Sequence, residues 1–233
     1  MAKNTKTFEE FLNEGRSKYD GLASKLTKET FKTWIAAWKA GEKKASWMEQ
    51  IELDGLEFDL TATLYFDKAE GTQIKGFEVL GSTGADGRDE DDDGDDQTPF
   101  INIDFAINSE WLPGYWQDVY MNLADCMRHE MEHITQDGVS IGNYRMGKPN
   151  EDDSVMRRLI QAGMLPEFHY LLLPKEVDAN LQGLRFEAKK RKEPIIDAIN
   201  RYLDIKDLST EEREEVLSQW RIRAKQIGGI PKF

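Results

Sequence analysis

His129, Glu130 and His133 stand in the order His-Glu-x-x-His within Cys126-Met127-Arg128-His129-Glu130-Met131-Glu132-His133-Ile134, and they use two of the chain's three histidines. On a helix of 3.6 residues per turn, positions four apart lie one above the other, so both imidazoles leave the same face. That is a clamp for one metal ion. Zinc suits two neutral imidazoles, and a catalytic zinc takes three protein ligands and keeps a position open for water. A carboxylate beside the clamp can take a proton from that water, whose acidity the metal raises. The residue types and spacing point to metal-assisted hydrolysis, with Glu130 as general base and a third ligand elsewhere in the chain.

The chemistry requires a helix here. Trp111-Leu112-Pro113-Gly114 punctuates the chain, and Val119, Leu123, Cys126, Met127, Glu130 and Ile134 follow at spacings of three and four. Glu130 falls on the largely apolar face. A carboxylate turned toward a core is costly unless something pairs with it or binds it. The competing reading is an ordinary amphipathic helix with surface histidines.

Upstream, Phe31, Trp34, Ile35 and Trp38 recur at helical spacing and Gly41 ends the pattern, which reads as a core helix over residues 28–40. Leu56, Phe58, Leu60, Ala62, Leu64 and Phe66 alternate with mostly polar residues, the pattern of a strand with one buried face. A turn near Glu70-Gly71 and a second strand, Gln73 to Leu80, complete an expected hairpin. A third alternating strand covers Ile101 to Ile107. Between them lies the acidic loop 84–97, where Asp89, Asp91, Asp93 and Gly94 match the first half of a calcium loop. Phe100 stands where such a loop needs its bidentate Glu, so only a weak Ca2+ site at Asp89, Asp91 and Asp93 is open, beside the alternative of a solvated loop.

Hairpin, strand and motif helix follow in the order used by zinc metallopeptidases of the zincin type, which this chain resembles in order as well as motif. The resemblance implies that Phe100 to Ile107 is an edge strand along a substrate cleft. The metzincin branch needs Gly and His three and six residues past the second His, and Gln136 and Val139 stand there. The stretch Tyr170, Leu171 to Leu173, Pro174 and Glu176-Val177-Asp178-Ala179 is similar instead to the zincins whose third ligand is a Glu on a downstream helix, the gluzincins. That resemblance implies Glu176 as third ligand, with Asn180 one turn on, where some relatives carry an Asp supporting a metal-bound imidazole. His169 competes for the position, because zinc also accepts three imidazoles. If it is not a ligand, His169 or Tyr170 is the candidate donor to the oxyanion formed during attack. Asp178 is a lesser candidate, since i and i+2 diverge on a helix.

The remaining composition sets bounds. With 233 residues the chain can bury a substantial core, and its net charge of -13 argues against a nucleic-acid surface. The single Cys126 cannot form an internal disulfide, and no apolar run reaches membrane-spanning length. These features lead us to expect a protein of the cell interior, without nucleic-acid or membrane partners. Phe8-Glu9-Glu10-Phe11-Leu12-Asn13-Glu14-Gly15 resembles the start of virion proteins of large tailed bacteriophages, which a prohead protease cuts after a Leu-x-Glu triplet. This implies a phage protein in the host cytoplasm or packaged in a virion, with virion or host protein partners; a frayed terminal helix accounts for the same residues.

The expectation is an α+β, zincin-like fold: a small, mostly antiparallel sheet packed on the motif helix, with a helical C-terminal part. A flexible arm covers residues 1–27 and the domain 28–233, divided into 28–110 and the metal-carrying 111–233. The expected activity is hydrolysis of peptide bonds in a protein or peptide substrate, with one catalytic Zn2+. The alternative keeps the scaffold and drops catalysis, as a phage structural or morphogenetic protein whose zinc, closed by His169 as a fourth ligand, ties helices together.

Overall fold

A computed structural model describes residues 8–53, 56–66, 77–85, 99–135, 151–227 and 229–233. In chain order they form α1 (Phe8–Lys39), β1 (Lys44–Leu53), β2 (Leu56–Phe66), β3 (Phe77–Ala85), β4 (Pro99–Ile107), a single 3₁₀ turn (Ser109–Trp111), α2 (Trp116–Thr135), α3 (Glu151–Gln161), a longer 3₁₀ helix (Glu167–Leu172, hereafter the 3₁₀ helix), α4 (Pro174–Arg191), α5 (Ile195–Asp204) and α6 (Thr210–Ile227). The class is α+β, and among the described residues no helix is long and apolar enough to cross a membrane. The calcium-loop residues Asp89, Asp91 and Asp93 lie outside the described residues.

The alternation read in the sequence sets the buried face of the sheet. Phe58, Leu60, Ala62, Leu64 and Phe66 of β2 and Ile101, Ile103, Phe105 and Ile107 of β4 are buried. They form one core with Ala23, Leu26 and Trp34 of α1 and Val119, Leu123, Met127, Met131 and Ile134 of α2. Trp34 closes against the Phe105 ring at 5.1 Å and donates its indole N–H to the Ala62 carbonyl at 3.4 Å. A second core joins α4, α5 and α6 through Leu181, Leu184, Ile199, Leu203, Val216 and Trp220. Helix α4 contributes to both cores, since its Phe186 belongs to the first. Pro174 opens α4 in its first turn, where a missing N–H costs nothing. Ser209 and Glu212 open α6 with reciprocal bonds: the Ser209 N–H donates to Glu212 Oε2 at 2.8 Å, and the Glu212 N–H to Ser209 Oγ at 3.2 Å.

Strand order departs from the sequence reading. It is β1-β2-β4-β3, with β1–β2 and β3–β4 antiparallel and β2–β4 parallel. The partner of β2 in the hairpin is therefore β1, at Lys44 to Leu53, and β3 does not pair with β2. Strand β4 is not the edge strand that the resemblance implied. Its backbone is hydrogen-bonded on both sides, to β2 and β3, so it cannot receive a substrate strand; among the described strands the edges are β1 and β3.

The expected arm is also corrected. Helix α1 begins at Phe8, and Asp20, Ala23, Leu26 and Thr27 are buried, so residues 20–27 belong to the folded domain. Asp20 is the tether. Its Oδ1 lies 3.3 Å from Arg128 Nε on α2 and 2.6 Å from Arg185 Nη2 on α4, with Arg185 Nη1 at 3.1 Å from Oδ2. Burial alone would raise this carboxyl, but the hydrogen bond and charge of Arg185, then the charge of Arg128, hold it below the usual carboxylate range. Arg128 is fully buried and keeps a second ion pair, with Glu132 at 2.7 Å. Asp20→Ala is therefore expected to destabilise the fold by about 3–5 kcal/mol, the cost of removing one partner from a buried ion pair. A urea midpoint equal to that of the wild type would return this segment to an arm.

Candidate metal centre

Helices α2 and α4 bring the donors together. His129 and His133 leave α2 one turn apart, and Glu176 enters from the first turn of α4. The two Nε2 atoms are 3.1 Å apart, and Glu176 Oε2 is 3.7 Å from His129 Nε2 and 3.6 Å from His133 Nε2. These three residues form the one group of three or more His, Cys, Asp or Glu side chains able to hold a metal ion among the described residues. Donors bound tetrahedrally at zinc distances would stand roughly 3.3–3.5 Å from one another, which the three observed separations bracket. Two imidazoles and one carboxylate are also a donor set that zinc accepts. The residues present therefore fit a single metal ion.

The protonation states suit that purpose. His129 is held down at about 3, first because burial disfavours the charged ring and then because the charge of His133 opposes it. Burial would raise Glu176, but its hydrogen bond to His133, the charges of both histidines and its hydrogen bond from Arg157 hold it at about 2. At neutral pH the His129 ring is neutral and the carboxylate ionised, as ligation requires. Stability follows the same sign in the metal-free protein. Below pH 6.5 the unfolded chain takes up a proton on His129 that the folded chain refuses until about 3, and Glu176 behaves likewise between 4.5 and about 2. At these two groups the unfolded state binds more protons throughout that range, so their contribution to stability falls as pH falls and is level above about 6.5. Urea midpoints of the metal-free protein from pH 8 to pH 3 check this. Because the raised Asp125 carboxyl acts with the opposite sign, His129→Asn is measured alongside, and a wild-type midpoint that falls no further on acidification than the variant's contradicts the buried neutral ring.

Glu130 occupies the position next to His129 and is 5% exposed. Its charge reaches Asp125 and Cys126 on the same helix: burial first, then Glu187 and Glu130, push Asp125 well up, while burial and Glu130 raise the Cys126 thiol. Tyr170 reaches the metal group from the 3₁₀ helix. It hydrogen-bonds to Glu176 and Arg157, and burial together with the Glu176 charge pushes its hydroxyl up to about 12, so it stays protonated at any ordinary pH. His169 is elsewhere. Its Nδ1 is 3.2 Å from the Pro166 carbonyl and its ring lies against Phe168, so neither the all-His site nor the closed four-donor set is formed among the described residues. Asp178 is engaged by Arg223 through two bonds of 2.6 Å. Asn180 is buried near Tyr202, and its amide nitrogen has no hydrogen-bond partner.

Two residues that the sequence reading passed over complete the site. Arg157 of α3 binds Glu176 Oε1 at 2.6 Å; it stands in no fixed spacing to the motif, so no sequence signal pointed to it. Gly183 had a signal, a lone glycine inside a helical pattern two turns past Glu176. A Cβ there would stand 2.3 Å from Asp125 Oδ1, 3.0 Å from the Asp125 carbonyl oxygen and 3.3 Å from His129 Cβ. The carboxylate can swing away, but the carbonyl and His129 Cβ move only with α2. Gly183→Ala should therefore destabilise the protein by about 1–3 kcal/mol despite the better helix propensity of alanine. It should also loosen metal retention by separating the helices that carry the ligands. A raised melting temperature with unchanged metal retention would show that the two helices do not need this close approach.

Compared with protein-family models, curated proteins and solved structures, the chain matches none.

Proposed function

We propose that this protein is a zinc-dependent peptidase. The observation that carries the reading is the meeting of three donors from two helices, His129 and His133 with Glu176, at separations that fit one ion; Glu130, the residue that follows His129, is buried. Zinc held there would polarise a scissile carbonyl and make the attacking water more acidic. Glu130 takes the proton of that water and hands it to the departing amine. Tyr170 stays protonated and is 41% exposed, and turning its hydroxyl from Glu176 would let it meet the oxyanion that develops during attack.

The test has two stages. The purified chain is dialysed and its zinc measured per mole of protein, with one equivalent expected; it is then presented with a peptide library, with and without chelator. Zinc-dependent cleavage supports the reading. One tightly held zinc with no cleavage of any library member leaves the ion a structural role, and no zinc removes the peptidase reading altogether.

A further inference from the structure

We propose that Arg157 is a positioning residue that keeps Glu176 a one-oxygen ligand, and so keeps the metal site four-coordinate with one position for substrate. The inference rests on the reading of His129, His133 and Glu176 as a metal site. Its basis is the way the two carboxylate oxygens are divided. Oε2 faces the imidazoles, at 3.7 Å from His129 Nε2 and 3.6 Å from His133 Nε2, whereas Oε1 is taken by Arg157 Nη2 at 2.6 Å. A carboxylate that turned both oxygens to one ion would have to surrender that bond, a charge-assisted contact of the strong kind.

Arg157 is itself held in place. It hydrogen-bonds to Tyr170, and its guanidinium carbon lies 4.9 Å from the centre of the Tyr170 ring. The clamp thus comes from α3 and the 3₁₀ helix, elements that carry none of the three ligands. Its consequence is chemical. A second Glu176 oxygen on the ion would fill the position that the reacting group needs, and added donation would weaken the ion's pull on a carbonyl. The guanidinium prevents both.

Cobalt(II) is the probe, because four-coordinate cobalt absorbs visible light several-fold more strongly than the five- or six-coordinate ion. Metal-free full-length protein is titrated with Co2+ as wild type, Arg157→Ala and Arg157→Lys. The wild type should show intense visible bands, Arg157→Ala should lose at least half of that intensity at saturation, and Arg157→Lys, whose ammonium still reaches one oxygen, should retain most of it. Should Arg157→Ala fail to fold, Arg157→Met keeps an apolar stem against Tyr170 and carries the same expectation. A contact that merely joined α3 to α4 would change the melting temperature without changing the cobalt spectrum. Superimposable wild-type and variant spectra, or weak wild-type bands, overturn the inference while leaving the metal site intact. A wild type that binds no cobalt overturns the metal reading itself.

Discussion

Glu130→Gln is expected to slow peptide cleavage by about 10²–10⁴-fold, the usual contribution of a positioned general base, while one zinc remains bound per chain. The substitution preserves the size of the side chain and a hydrogen-bonding oxygen, and removes only the basic carboxylate. Glu130 is buried, and its charge helps to push Asp125 and Cys126 upward. Neutralising it relieves that repulsion, and the urea midpoint separates lost activity from lost structure. The rate constant on the best library peptide, the zinc content and the urea midpoint together decide the matter. Full activity at unchanged zinc would remove Glu130 from the mechanism and leave it as a buried carboxylate of the α2 core.

The second large effect falls on the metal. Glu176→Ala removes one of three donors, and zinc affinity should drop by more than the roughly tenfold to hundredfold lost when only an outer partner of a ligand is removed. The two imidazoles on α2 would remain, as a clamp without its third arm. The carboxylate also carries the Arg157 and Tyr170 contacts, so the alanine variant releases those side chains as well. Glu176→Gln separates the effects, since its amide oxygen can still accept from Arg157 while the negative charge on the ion is gone. Competition against a chelator gives the affinities. Alanine-variant affinity within a few-fold of the wild type would place the third ligand on another residue. His133→Ala provides the reference for the loss of a ligand that the motif itself specifies.

What could be read along the chain was local. His129 and His133 share a face because four residues make nearly one helical turn, and the buried faces of β2 and β4 follow from a period of two. Pro174 at the head of α4 and the Ser209–Glu212 box at the head of α6 depend on residues at most three apart, so they too were legible. Glu176 was implied by a resemblance to the Glu-ligand zincins, and geometry then brought its carboxylate to the two imidazoles.

What required the tertiary structure was every pairing between distant segments. Strand β2 presents the same alternating face whichever strand lies beside it, so periodicity could not reveal that β1 is its hairpin partner or that β4 is interior. Asp20 reads as part of an arm along the chain because its partners, Arg128 and Arg185, are 108 and 165 residues away. Arg157 came to Glu176 through the packing of α3 beside the 3₁₀ helix, and Gly183 acquired its meaning only when α2 lay against it. Spacing along one helix or strand specifies which side chains share a face. Which faces meet depends on burying those surfaces together, a property of the whole chain that no local window contains.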